Sequence, residues 1–570
     1  MDGVVSEPPP RPRLTRRGFL AGTIGAALAA CTGDDDTSST GTASGESPAS
    51  GSTGPPPTAS TPASSTTSTS ATSSTTTTTT PIVTVDPFTL GVAAGDPLPD
   101  SLILWTRLLP AVPLDASDVD VEWEVASDAE FDDIVASGTA SAVAALGHSV
   151  HVDAGGLEPA TQYHYRFRVA GFESTPGRAQ TFAAPGTMPE RFRFAFSSCQ
   201  NWEHGFYAAY RDLVEQDPVD AFVFLGDYIY ENASGGGIGR STGQDFECET
   251  LDHYRQRYAL YHSDPLLQAA HARVPWIITW DDHEVDNNYA SAISEQDAPR
   301  ELFLARRAAA YQAWYEHMPV RLEPPTGADY DIYRSFAHGD LLRFHVLDTR
   351  QYRSDQQRRE PFIESLGANV QVRDEVLAAS PAQSMLGEVQ RNWLIDEVTN
   401  STAVWDVIAQ QVFMSGAGLV GGADPPVILP DTWDGYAAER KLLVEAIGPV
   451  VDNLVVLTGD FHSAAVADLR ADPFDVSTPA VGSELMASSI SSNFFDSDAT
   501  VEALASQALA ANPQLRWFDT RRGYTVCDVT PDGWQVAFRA VVDQLDETSA
   551  VDVVSTWEIA AGTPGPTRVS

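Results

Sequence analysis

Four apolar runs of the chain end in side chains able to hold a metal ion. They are "SSCQ" with Cys199, "GDYIYE" with Asp227 and Tyr230, "WDDHE" with Asp281, Asp282 and His283, and "TGDFH" with Asp460 and His462. A thiolate, a phenolate, carboxylates and imidazoles gathered in one place make a metal site whose ligands range from soft to hard. Each piece alone has an ordinary explanation: Gly-Asp after a strand is a common turn, Asp-Asp-His a solvated loop, and a lone Cys a small core residue. Four such ends in one chain argue instead for convergence on a single centre.

The elements that would position these residues are legible from about residue 188 onward. Apolar strands ("FRFAFSS", "AFVFLGD", "VPWIITWDD", "LLRFHVLDTR", "WDVIAQQ", "LVVLTGDFH") alternate with segments of helical character such as 206–216 and 388–399. Near-continuous apolar strands covered by helices, with polar residues at their carboxyl ends, predict an α/β fold that brings those ends to one rim. Residues from about Pro87 to about Pro185 read differently: "LILWTRL", "VDVEWEVAS", "HSVHVDAGG" and "TQYHYRFRVAG" alternate between Pro, Gly and Asp turns, as in a small all-β sandwich. Tyr163 and Tyr165 are there packing residues. "GYTVCDVTPDGWQVAFRAV" predicts a closing hairpin.

Length and charge bound the function. A chain of 570 residues is expected to form two to four domains, and 78 acidic against 35 basic residues (net charge −43) disfavour nucleic-acid phosphates, so no nucleic-acid-binding module is expected. An anionic substrate would need local cations, which bound metals supply. Near the N-terminus, Arg16 and Arg17 precede an apolar stretch, Phe19 to Ala30, too short to span a membrane. The pattern resembles a twin-arginine export signal, and "LAAC" resembles a lipobox that would lipidate Cys31 and anchor the protein to a membrane. From Thr32 to Thr80 the composition is that of a disordered tether. Cys248 and Cys527 are either a disulfide or two unlinked buried thiols.

The order of motifs resembles the calcineurin-like metallophosphoesterases. "GDYIYE", "WDDHEVDNN", "LDTRQYR" and "TGDFHSA", with the preceding β-sandwich and export signal, are more closely similar to the PhoD-like (alkaline phosphatase D) family. That resemblance implies a metallophosphoesterase sheet sandwich flanked by helices, preceded by a fibronectin type III-like domain. The expected boundaries are a signal at 1–31, a linker at 32–84, the β-sandwich at 85–187 and the catalytic domain at 188–560. It also implies hydrolysis of phosphate esters, releasing inorganic phosphate, and a pair of metals, iron(III) with one or two calcium ions.

Departures from the superfamily pattern carry chemistry. Ser-Cys-Gln stands where Asp-x-His is usual, and Tyr230 stands for the common Asn, so Cys199, Tyr230, Asp227 and His462 suit trivalent iron. Asp282 and Asp460 replace an amide and an imidazole, which hardens the other pocket towards calcium. Asp227 is expected to bridge, His283 to stabilise the transition state or protonate the leaving group, and Arg350 to clamp phosphate or pair with an acid. Asp281, Glu284 and Asn287 are weaker candidates for ligands or supporting hydrogen bonds. A phosphocysteine at Cys199 is disfavoured because "CQNWEHG" lacks a phosphate-cradling Arg. Rival readings are a phosphodiesterase or phospholipase D-type hydrolase of lipid or cell-wall polymer, and a noncatalytic surface lipoprotein.

Overall fold

The computed structural model describes residues 83–570 apart from 236, 357–370, 373–379, 419–426, 494–505 and 507–508. The twin arginine, Cys31 and the Ser/Thr-rich tether lie outside the described residues. Among those described, no helix is long and apolar enough to cross a membrane.

From Val92 to Gln180 the described elements are strands apart from one 3-10 turn, Ala144–Leu146: β1 (Val92–Gly95), β2 (Ser101–Arg107), β3 (Val119–Ala126), β4 (Ile134–Ala142), β5 (Ser149–Gly155), β6 (Gln162–Val169), β7 (Phe172–Glu173) and β8 (Gly177–Gln180). In β3 the alternation is visible residue by residue, with Val119, Val121 and Val125 buried and Asp120 and Glu122 exposed. β3, β4, β6, β7 and β8 form a sheet of their own. Tyr163 and Tyr165 fill the core beneath it.

Strands and helices then alternate as expected. They run β9 (Phe192–Ser197), α1 (Ala208–Glu215), β10 (Ala221–Phe224), α2 (Leu251–His262), α3 (Pro265–Arg273), β11 (Trp276–Ile278), α4 (Arg300–His317), β12 (Arg334–His338) and β13 (Leu342–Val346). After β14 (Gln371–Val372) come α5 (Gly387–Thr399), β15 (Trp405–Gln410), β16 (Val427–Ile428), α6 (Ala437–Ile447), β17 (Leu454–Thr458), β18 (Ala464–Leu469) and β19 (Gly482–Met486). The chain closes with β20 (Leu515–Asp519), β21 (Gly523–Thr530), β22 (Gly533–Val541), β23 (Val551–Ala560) and β24 (Thr567–Arg568).

Two large sheets result. One has ten strands in the order β24-β23-β22-β21-β9-β10-β11-β1-β2-β5, the other seven in the order β12-β13-β15-β17-β19-β18-β20. The predicted closing hairpin is β21–β22, paired through β21 to β9. The sequence did not reveal that β1, β2 and β5 extend the first sheet, through parallel pairing of Gly95 with Trp276.

Side-chain alternation divides these strands between separate cores. Phe222 and Phe224 of β10 pack under α1 to α4, whereas Ala221 and Val223 face the second sheet. Val407 and Ala409 of β15, with Val455 and Leu457 of β17, meet them from the opposite side. Ile408 and Val456 point outward onto α5 and α6. The layers are helix, sheet, sheet, helix, and each large apolar side chain so buried contributes about 1.5–3 kcal/mol. Cys248 lies in the helix-side core and Cys527 in the inter-sheet core, both as free thiols, which answers the disulfide question in favour of unlinked cysteines.

Candidate metal centre

Parallel pairing of β9, β10 and β11 sends Cys199, Asp227 and the Asp281–Asp282 pair out of neighbouring carboxyl ends. Parallel pairing of β13, β15 and β17 does the same for Arg350, Asp460 and His462. Two glycines let the ends approach. A Cβ on Gly226 (φ +105°) would lie 2.5 Å from Asp281 Cβ, and one on Gly459 would lie 2.8 Å from Ser198 Cβ. Cys199, Asp227, Asp460 and His462 all have left-handed backbones, with φ of 56°, 57°, 59° and 48°. Such residues are strained by about 1–3 kcal/mol each and persist only where their surroundings over-determine them. Here the Cys199 N–H donates to Gly226 O and the Gln200 N–H to Asp227 O, each at 3.0 Å.

Three overlapping ligand groups stand on this rim, each with ligand atoms within 4.8 Å of one another. They are Cys199–Asp227–His462, Asp227–Asp281–Asp282–Asp460 and Asp227–Asp282–His283, so Asp227 belongs to all three. The Tyr230 hydroxyl joins the first group, 3.0 Å from Asp227 Oδ2 and 2.9 Å from His462 Nε2. His462 Nδ1 lies 2.8 Å from the Asn493 carbonyl, which only accepts, so the proton is on Nδ1 and the Nε2 lone pair faces the group.

Burial pushes the Asp227 carboxyl well above the usual carboxylate range; His283 pulls it back, and Asp282 and Asp281 push it up again. Asp460 is raised by burial and by Asp281, and Asp281 is pushed up to about 6 by burial against the pull of Arg350. For Asp282, burial is outweighed by Arg350 and His283, which hold it below the usual range. Cys199 and Tyr230 are raised well above their ordinary values, first by burial and then by Asp227. Burial lowers His462 to about 3.

A cation reverses this balance, favouring the charged form of each thiol, phenol and carboxyl and releasing their protons. Asp227 Oδ1 and Asp281 Oδ2 are buried without a hydrogen-bond partner among the described residues, an arrangement that a bound cation satisfies. The residues present therefore fit a metal centre.

A family model described as "PhoD-like phosphatase" matches residues 194–538, and one described as "PhoD-like phosphatase, N-terminal domain" matches residues 71–183. The chain belongs to the PhoD-like phosphatase family. It is 41% identical over 496 residues to alkaline phosphatase D of Bacillus subtilis (strain 168), an alignment covering 85% of this chain and 82% of that protein. A solved structure described as "Structure of PhoD" matches with a TM-score of 0.79 and 40% identity, covering 86% of this chain and 93% of the other. The protein is thus a phosphatase, a hydrolase of phosphate esters.

All the metal-ligand candidates of this PhoD-like chain fall within the matched catalytic region. Cys199, Asp227, Tyr230, Asp282, Asp460 and His462 come together, and Asp281, expected only as a weaker candidate, stands in the carboxylate group with them. Arg350 does not stand free to clamp phosphate. Its guanidinium is wholly buried and engages Asp281, Asp431 (3.0 Å), Asp460 (3.3 Å) and Asp282 (3.4 Å), because so many acids crowd one place that the nearest cation is drawn in as their counterion. Glu284 accepts the backbone N–H groups of Asp227, Tyr228 and Asp281, tying two ligand loops together. The Asn287 side-chain N–H donates to Glu295 Oε2 at 2.9 Å. Trp433 and Tyr436 pack in the core beside α5 and α6.

Two contributions went unread. Glu231, printed in "GDYIYE" beside Tyr230, holds His283 Nδ1 at 2.7 Å and accepts the Asn287 N–H at 2.8 Å. Burial opposes a charge on His283, but Glu231 and Asp227 overcome it and hold the imidazole well above its usual range. A carboxylate next to a candidate ligand was the available signal; its partner 52 residues away was not. The second is the Ser488–Asn493 stretch, whose small polar residues carry no recognisable spacing. A further acidic group, Glu231–Glu247–Asp286, already contains a cation, since Arg306 pairs with Glu247 at 2.5 Å and Asp286 at 3.1 Å.

Proposed function

We propose that this PhoD-like phosphatase is an exported enzyme that hydrolyses phosphomonoesters at alkaline pH on an iron(III)–calcium centre, with one or two calcium ions. The observation that carries the reading is the sharing of Asp227 by every ligand group on the rim. Cys199, Tyr230 and His462 with Asp227 would hold iron, since thiolate and phenolate suit a trivalent ion. Asp282, Asp460 and Asp281 with Asp227 would hold calcium, which takes oxygen ligands alone. Metals held there would supply neutralisation of phosphoryl charge and activation of water, so no side-chain nucleophile would be required.

The chain's own residues supply orientation and a proton. Glu231 occupies Nδ1 of His283, which leaves Nε2 as the end able to give a proton to the departing alkoxide. The Tyr230 ring lies against the His283 ring, with centroids 4.2 Å apart, and limits its rotation. Glu231 raises the affinity of that imidazole for its proton. Arg350 holds the acids in place when they carry charge. Export through the twin-arginine pathway and lipidation at Cys31 are supported by Arg16, Arg17 and "LAAC", and the boundaries 1–31, 32–84, 85–187 and 188–560 complete the proposal.

The test is turnover of matched phosphomonoester and phosphodiester substrates with iron and calcium, against chelator. The expected result is monoester hydrolysis lost on chelation and restored by both metals. Full activity in chelator would sink the metal reading, and a strong diester preference would replace the monoester assignment with the phosphodiesterase one.

A further inference from the structure

We propose that Ser492 is a positioning residue that tunes the bond between Tyr230 and its metal through one hydroxyl proton, an inference that rests on iron being held by Tyr230. Ser492 Oγ lies 2.7 Å from the Tyr230 hydroxyl oxygen. The Asn201 N–H donates to that same Oγ at 3.0 Å, so a lone pair of the serine is already engaged and its proton is directed to Tyr230. Among the described residues the other hydrogen-bond neighbours of the Tyr230 oxygen, Asp227 Oδ2 and His462 Nε2, are themselves candidate ligand atoms. On metal binding those two turn to the cation. Ser492 then remains as the hydrogen-bond donor to the phenolate.

The backbone fixes this serine where it stands. Ile490 N donates to Ser198 O at 3.0 Å, Ser492 N to Cys199 O at 3.3 Å, and the Asn493 carbonyl faces His462 Nδ1 at 2.8 Å. One six-residue stretch after β19 therefore touches three of the four iron-side ligands. Ser492 is wholly buried, so water does not compete for its proton.

A hydrogen bond donated to a phenolate is charge-assisted and stabilises the oxygen lone pairs, so the oxygen gives less electron density to the metal. Charge transfer from phenolate to iron(III) then requires more energy. Removing the donor lowers that energy.

The readout is the visible absorption of iron-loaded protein. Ser492→Ala should move the tyrosinate-to-iron band to longer wavelength, while Ser492→Thr, which keeps the hydroxyl, should leave it near wild type. Ser491→Ala should not shift it, because Ser491 Oγ donates to Asn201 O at 2.7 Å and not to Tyr230. Ser492→Cys keeps the volume with a weaker donor and should give an intermediate shift, which serves if the alanine variant does not fold. An unshifted band in Ser492→Ala at equal iron content, or an equal shift in Ser491→Ala, would overturn the inference alone. A wild-type protein that binds iron without any such band would overturn the Tyr230–iron reading, and the role of Ser492 with it.

Discussion

The two sides of the Asp227 carboxylate are built on opposite principles. On the Cys199–Tyr230–His462 side burial favours the neutral form of all three groups, a thiol, a phenol and an uncharged imidazole, and neutral groups steady them: a serine hydroxyl, a main-chain carbonyl and backbone N–H donors. On the Asp281–Asp282–Asp460 side three carboxylates crowd together and a wholly buried arginine balances them. On the proposed reading the first side would select its metal by ligand chemistry. The second would collect cations by charge, and would do so for any hard ion of suitable size.

The most severe way to break this contrast is to remove what the sides share. Asp227→Ala should lower turnover of a chromogenic monoester by at least about 10²–10³-fold and deplete both metals, the scale expected when charge stabilisation at the reacting group is lost. Depletion of one metal only would show that Asp227 serves one side. Next in size is Arg350→Ala, which leaves buried acids without their counterion and should destabilise the chelated protein by about 3–5 kcal/mol. Calcium should restore most of that loss, as read by thermal unfolding with and without the ion. A variant as stable as wild type in chelator would remove the counterion role.

A smaller effect is expected at His283, the proposed proton donor. Glu231→Gln should reduce kcat by about 10–100-fold, the usual scale for the partner that orients a functional imidazole. Glu231 raises the affinity of His283 for its proton, so its neutralisation lowers that affinity. Activity that needs the imidazolium falls as pH rises through this value, so the alkaline limb should move to lower pH. An unmoved limb would separate Glu231 from the proton.

The mildest prediction concerns metal removal. Asp281 is raised to about 6, Asp286 to about 7 and Glu284 to about 8, chiefly by burial, so the folded chelated protein binds protons that the unfolded chain has already released. Stability contributed by these groups is complete below the unfolded carboxyl values and is lost as pH rises through the folded ones. The melting temperature of chelated protein should therefore decline from about pH 4 to about pH 8, and bound metal should flatten the part between about pH 4 and about pH 6 that belongs to Asp281, the one of the three in a ligand group on the rim. An equally steep decline between about pH 4 and about pH 6 with metals present would place Asp281 outside the centre.

How much of this was readable in the sequence follows from the range of each interaction. "AFVFLGDYIYE" gave its strand by composition and its ligands by position, because a strand end is a local feature. The same holds for "LVVLTGDFH" and "WDDHE". What stayed hidden depends on tertiary approach. Glu231 meets a histidine 52 positions away, and Ser492 meets a tyrosine 262 positions away. The position of Arg350 after a strand left a phosphate clamp and an ion pair equally open, and only tertiary approach shows the four acids from three other segments that enclose it. The left-handed backbones of Cys199, Asp227, Asp460 and His462 were equally invisible, since nothing in those residue types demands a positive φ. The extension of the first sheet by β1, β2 and β5 was hidden because alternation predicts a buried face and not the partner strand.

The central claim, one carboxylate joining an iron site to a calcium site, is tested most directly by elemental analysis and visible absorption of native protein before and after a calcium-selective chelator. The account predicts iron and calcium together at first. After chelation, calcium and activity should be lost while the iron and its absorption remain. Active native protein without iron, or full activity after calcium removal, would contradict it.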